Sequence, residues 1–182
     1  MTRYAAFFGL MIAALVSTTA HAETSFNILE EICVPANGDI DQALKIAEKL
    51  GWKRASSAAV ENRWHDPTAK RSEVRFYPGF ELVLADSYRP HTHTRSCGVQ
   101  ANPREIGLPR QLAAFAGVPL QQLGGKSAYI WREEDGRHIP IAIGSAEYKA
   151  AITFGEVKML MEVDSSDNSL IMLGSTTSWS QP

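Results

Sequence analysis

Two histidines one residue apart, His91 and His93, are the side chains of this sequence whose types and spacing could do chemistry. At alternate positions of an extended strand they would share one face, about 7 Å apart. That separation suits one Zn²⁺ or Cu²⁺, provided a third ligand converges; His138 or a nearby carboxylate is the expected donor. Read instead as bases, His65, His91 or His93 could serve an envelope hydrolase. That role requires one of them within hydrogen-bond reach of a hydroxyl or carboxylate in a pocket. A third set of residues, Trp64, Arg75 and Arg95, is the candidate ligand surface, with Tyr77, Tyr88, Arg89, Tyr129 and Trp131 as further aromatic and basic groups. Such a mixture gives a cleft an apolar floor and cationic handles.

Several catalytic signatures do not occur. The sequence has no Gly-x-Ser-x-Gly elbow, no His-Glu-x-x-His, no P-loop and no dinucleotide-binding glycine pattern. His65 and Asp66 are adjacent, but neighbours seldom face each other, and Asp66-Pro67 is turn chemistry. Glu133, Glu134 and Asp135 fall together in an expected hairpin loop, where solvated carboxylates cannot acquire contrasting acidities. No residue is therefore assigned a catalytic role, no cofactor is expected, and binding is favoured over catalysis.

The chain opens with Arg3, an apolar run from Ala5 to Val16, and Ala20-His21-Ala22. Those features read as a secretory signal peptide over 1–22, because the apolar run is too short to span a bilayer. Residues 23–174 are expected to form a single domain and 175–182 a flexible tail. The formal charge is −2, and removal of Arg3 with the signal makes it −3, which gives no electrostatic drive toward nucleic acid or anionic membrane. Cys33 and Cys97 are the only cysteines, an even count that behind a signal peptide reads as one disulfide. The expected setting is the periplasm or the external medium. The expected partner is a small molecule or an envelope protein, bound by a monomer.

The elements that must position these residues follow from periodicity. Asp39 with Gln42 caps a helix whose Ile40, Ala43, Leu44, Ala47 and Leu50 lie on one side, and Gly51 ends it. Three strands follow, at Ser72–Tyr77, Phe80–Ala85 and Thr92–Ala101. In the last, His91, His93, Arg95, Cys97 and Val99 are expected on one face, with the cysteine end in the core. Pro109 opens a second helix that Gly117 stops. Further strands are expected at Ser127–Arg132, Arg137–Ile143, Val157–Val163 and Ser169–Leu173, with Ser145 capping a short helix through Ile152. Phe26–Cys33 reads as an apolar lead-in. The expected fold is α+β: an antiparallel sheet with two main helices packed on one face and one disulfide.

The spacing Cys33, Gly51-Trp52, Cys97-Gly98-Val99 resembles that of small uncharacterised secreted proteins of Gram-negative bacteria. The resemblance implies export and a disulfide-linked fold, and transfers no catalytic residue.

Overall fold

A computed structural model describes residues 24–56 and 67–179. The expected signal peptide over 1–22 and the segment with Trp64, His65 and Asp66 lie outside the described residues.

Among the described residues nine antiparallel strands make one sheet: β1 (Lys53–Arg54), β2 (Ala69–Tyr77), β3 (Phe80–Arg89), β4 (Thr92–Ala101), β5 (Leu120–Leu123), β6 (Lys126–Glu134), β7 (Arg137–Pro140), β8 (Val157–Asp164) and β9 (Ser169–Ser178). Their order is β1-β2-β3-β4-β9-β8-β6-β5, with β7 also pairing β6. Among the described residues four short helical segments accompany it: α1 over 25–36, in which a π-turn at Leu29–Cys33 joins two α-turns, α2 (Ile40–Lys49), α3 (Leu108–Ala116) and α4 (Ala146–Phe154).

This corrects the expected α+β fold with two main helices on one face. The protein is mostly antiparallel sheet, and its helices are short and divided between both faces. α1, α2 and α3 pack on one face against Leu82, Leu84, Cys97, Val99, Leu160 and Ile171. α4 lies on the other, beside Ile130, Ile141 and Val157. Two signals misled the sequence reading. Ile28, Leu29, Ile32 and Cys33 are a buried helical face, not an extended lead-in. The strands also continue into polar residues that carry no hydrophobic alternation: β2 begins at Ala69, β3 runs to Arg89 and β9 to Ser178. The expected tail from Ser175 is thus strand for four more residues, pairing with β4 from Thr92↔Ser178 to Arg95↔Ser175.

Local chemistry accounts for the helix ends. The Asp39 carboxylate accepts from the Gln42 N–H at 2.9 Å, satisfying a first-turn donor. At the other end Gly51 has φ 85° and the Trp52 N–H donates to the Ala47 carbonyl at 3.0 Å, which turns Trp52 back onto Tyr77. Ser145 caps α4 through the Tyr148 N–H at 3.0 Å. Cys33 and Cys97 are bonded with Cα atoms 5.4 Å apart, tying the end of the π-turn to the centre of β4. Asp41 reaches across to Arg71 at 2.8 Å and fastens α2 to β2. The guanidinium holds that carboxyl below its usual range by hydrogen bonding and charge.

Candidate functional site

Beyond the helices, the first face of the sheet continues toward the β3–β4 turn as a polar end, and a bulge shapes it. β2 pairs Ala69 with Ser87 and Arg71 with Asp86, so Lys70 is an extra residue opposite no partner. A bulge bends its strand and re-aims the side chain it carries. In unbroken alternation Lys70 would face away from Arg71; here its ammonium lies 4.1 Å from the centre of the Tyr88 ring and 5.2 Å from that of Trp179.

Tyr88 is the centre of this arrangement. It stacks on His93 with centroids 4.3 Å apart and planes at 11°. Lys70 and His93 both lie within 4.3 Å of its centre. Trp179 meets it edge-on at 5.1 Å. Trp179 follows the last residue of β9, and its N–H donates to the His91 carbonyl at 3.1 Å, closing the β3–β4 turn against the end of the sheet. Behind Tyr88, His93 is hydrogen-bonded to the Asp86 carboxylate.

On the outer side of Tyr88, a hollow of ≈ 440 Å³ is lined by Lys70, Tyr88, Arg89, Pro90, His91 and Trp179, with Pro67 and Thr68 at its margin. That volume falls within the range of about 300–1,000 Å³ typical of small-molecule sites. Among the described residues, no Asp or Glu lines it. Among the described residues, no carboxylate is paired with Lys70 or Arg89. The hollow is electropositive in a chain whose formal charge is −2.

Further along the same face the charges are compensated internally. Glu156 accepts from the Ser175 hydroxyl, from Lys158 at 2.8 Å and from Arg95 at 3.3 Å. Lys158 also donates to the Asn37 side chain, and its own side chain is only 6% exposed. Burial pushes the Glu156 carboxyl up, but hydrogen bonds from Lys158 and Ser175 and the charges of Lys158 and Arg95 outweigh it and hold the group below its ordinary value. Asn37 and Gly38 have φ of 49° and 79°, a left-handed pair that brings the α1–α2 loop down onto Arg95.

The residues expected from the sequence fare unevenly. Arg75 is buried and paired with Glu73 at 3.0 Å, and Arg95 is engaged by Glu156, so neither offers a free cation. Trp64, the third member of the expected ligand surface, lies outside the described residues. Tyr129 and Trp131 are buried in the core, and Tyr77 packs on Trp52. His91 has φ 68° in the turn and is not extended, so the alternate-position argument for a shared metal fails; His93 is engaged by Asp86. His138 stacks on Trp131 and is bonded to the Ala116 carbonyl, four strands away from His93, about 19 Å at sheet spacing. Among the described residues no three His, Cys, Asp or Glu side chains converge as metal ligands.

Lys70, Trp179, Asp86, Glu156 and Lys158 were missed. For Trp179 a signal existed, since Thr176 and Thr177 are strand formers just beyond the apolar part of β9. For Lys70 none did, because a bulge is decided by pairing.

No helix among the described residues is long and apolar enough to cross a membrane. Together with the disulfide, this is compatible with an extracellular or periplasmic setting. Compared with known protein families, curated proteins and solved structures, the chain matches none.

Proposed function

We propose that this is an exported binding protein that holds a small anionic ligand carrying a ring, in the hollow beside Tyr88 and Trp179. One observation carries the reading: Lys70 is lifted out of the strand by a bulge and held over two aromatic rings, in a hollow that Arg89 also lines and that no carboxylate lines among the described residues. An ammonium fixed in this way needs little reordering on binding, so an incoming carboxylate or phosphate meets a donor already in place. The Trp179 ring supplies a flat apolar surface for the rest of the ligand.

Binding is favoured over hydrolysis by the placement of the hydrogen-bonded His93–Asp86 pair. His93 and Asp86 satisfy the hydrogen-bond criterion for a base, yet neither lines the hollow. A base must reach the proton it removes. The exported setting rests on the sequence over 1–22 and on the resemblance to secreted proteins.

The test is a fluorescence titration of the purified protein with galacturonate and benzoate, against galactose and benzyl alcohol as uncharged controls. The acids should change the emission, and Trp179→Phe should remove most of that change. Equal response to charged and uncharged members of each pair would defeat the proposal.

A further inference from the structure

The hollow beside Tyr88 has a neighbour. On the far side of Trp179 and His91 lies a second one of ≈ 400 Å³, lined by Tyr148, Lys149, Ile152 and Thr153 of α4 and by Thr92 and Ser178 from the ends of β4 and β9. Trp179 and His91 line both, so the two adjoin across a shared wall. They are alike in chemistry. Each pairs the shared indole with a tyrosine, Tyr88 in one and Tyr148 in the other. Each has at least one cationic side chain, Lys70 and Arg89 in one and Lys149 in the other. Among the described residues, neither is lined by an Asp or Glu. The second is held in shape from the sheet: Ser178 donates its hydroxyl to the Thr153 carbonyl at 3.2 Å, fastening the last turn of α4 to β9.

By contrast, the depression along the outer side of α2 is walled by that one helix and mixes Asp39 and Asp41 with Lys45 and Lys49, so it has no preferred charge. A repeated cation-plus-aromatic unit astride one indole points to a ligand that itself repeats.

We infer that the site takes an acidic oligosaccharide of two or more rings, laid across the end of the sheet with one charged sugar on each side of Trp179. This deepens the proposed function and rests on it. Sugars present C–H faces to aromatic rings and hydroxyls to threonine and serine, and a uronate carboxylate finds an ammonium in each hollow. Nucleic acid is disfavoured because the few cations of this strip sit in a chain of negative net charge, which gives little counterion release. Two linked subsites should bind one linked ligand more tightly than either binds a single ring.

The experiment is calorimetric titration with galacturonate, tetragalacturonate, the neutral maltotetraose and the oligonucleotide dT4. Tetragalacturonate should bind at least about tenfold more tightly than galacturonate, and maltotetraose should bind more weakly than both acids. Lys149→Ala should cut the tetramer's affinity about tenfold, bringing it toward that of the monomer. Its thermal unfolding midpoint, measured alongside, should match the wild type, so that the loss is not one of folding. If monomer and tetramer bind equally, the extended site is refuted while the single hollow stands. If neither acid binds, both readings fall. Tighter binding of dT4 than of tetragalacturonate would overturn the saccharide assignment.

Discussion

Glu156→Gln tests the buried end of the polar face, and its cost can be worked from the geometry. Glu156 is the only carboxylate paired with Lys158 among the described residues, and the Lys158 side chain is 6% exposed. Glutamine keeps the shape but removes the charge, leaving a buried ammonium with neutral amides. Breaking a fully buried pair in this way costs roughly 3–5 kcal/mol. Glu156 is 29% exposed, so water offsets part of that, and about 2–3 kcal/mol is expected. With a urea slope of about 2 kcal/mol per M, the unfolding midpoint should fall by about 1–1.5 M. Lys158→Met removes the other partner but keeps the packed stem, and Glu156 retains Arg95 and Ser175. That change should cost about 1 kcal/mol or less, and the double variant clearly less than the sum of the singles. The sign of the pH effect follows from a depressed carboxyl. The stabilisation is complete above the ordinary value of 4.5 and disappears as the pH falls through the lower folded value. The gap between wild type and Glu156→Gln should therefore shrink in acid. A gap unchanged between neutral pH and about pH 3, or a Lys158→Met as costly as Glu156→Gln with additive effects, would refute this reasoning.

Removing the disulfide with Cys33→Ala/Cys97→Ala frees a loop of 64 residues, and the chain-entropy relation gives about 4 kcal/mol, read as a fall in urea midpoint; a fall worth under about 1 kcal/mol would contradict it. The oxidised protein should show no alkylatable thiol when denatured, since the bonded pair leaves no free cysteine. Gly38→Ala meets two obstacles, a φ of 79° and a new Cβ 2.9 Å from the Arg95 Cβ, and should cost about 1–3 kcal/mol in the same assay. Lys70→Ala removes the fixed ammonium and should weaken galacturonate about tenfold with little change in unfolding midpoint, because an exposed cation–π contact contributes only about 0.5–1 kcal/mol.

Much of the scaffold was legible because it is written locally. Asp39 and Gln42, Pro109 and Gly117, and the alternation through Cys97 and Val99 each act within a few residues, so the helix at Ile40–Lys49 and the strand at Thr92–Ala101 can be read without their neighbours. The cysteine pair was legible for a different reason: two cysteines allow one bond. The architecture was not, since Ile28, Leu29, Ile32 and Cys33 recur at helical spacing over only six residues, too short a run to show in sequence that it packs against β4. The site was still less so. Lys70 is a functional candidate only because the β2–β3 register skips it, and Trp179 only because β9 continues along β4 through residues that are neither apolar nor alternating. Arg75 and Arg95 looked available in sequence, but Glu73, two residues back along the same strand, holds Arg75, and Glu156 from a distant segment holds Arg95. The Arg95–Glu156 contact and the bulge at Lys70 are properties of which strand lies beside which, and one chain read in order does not contain that relation.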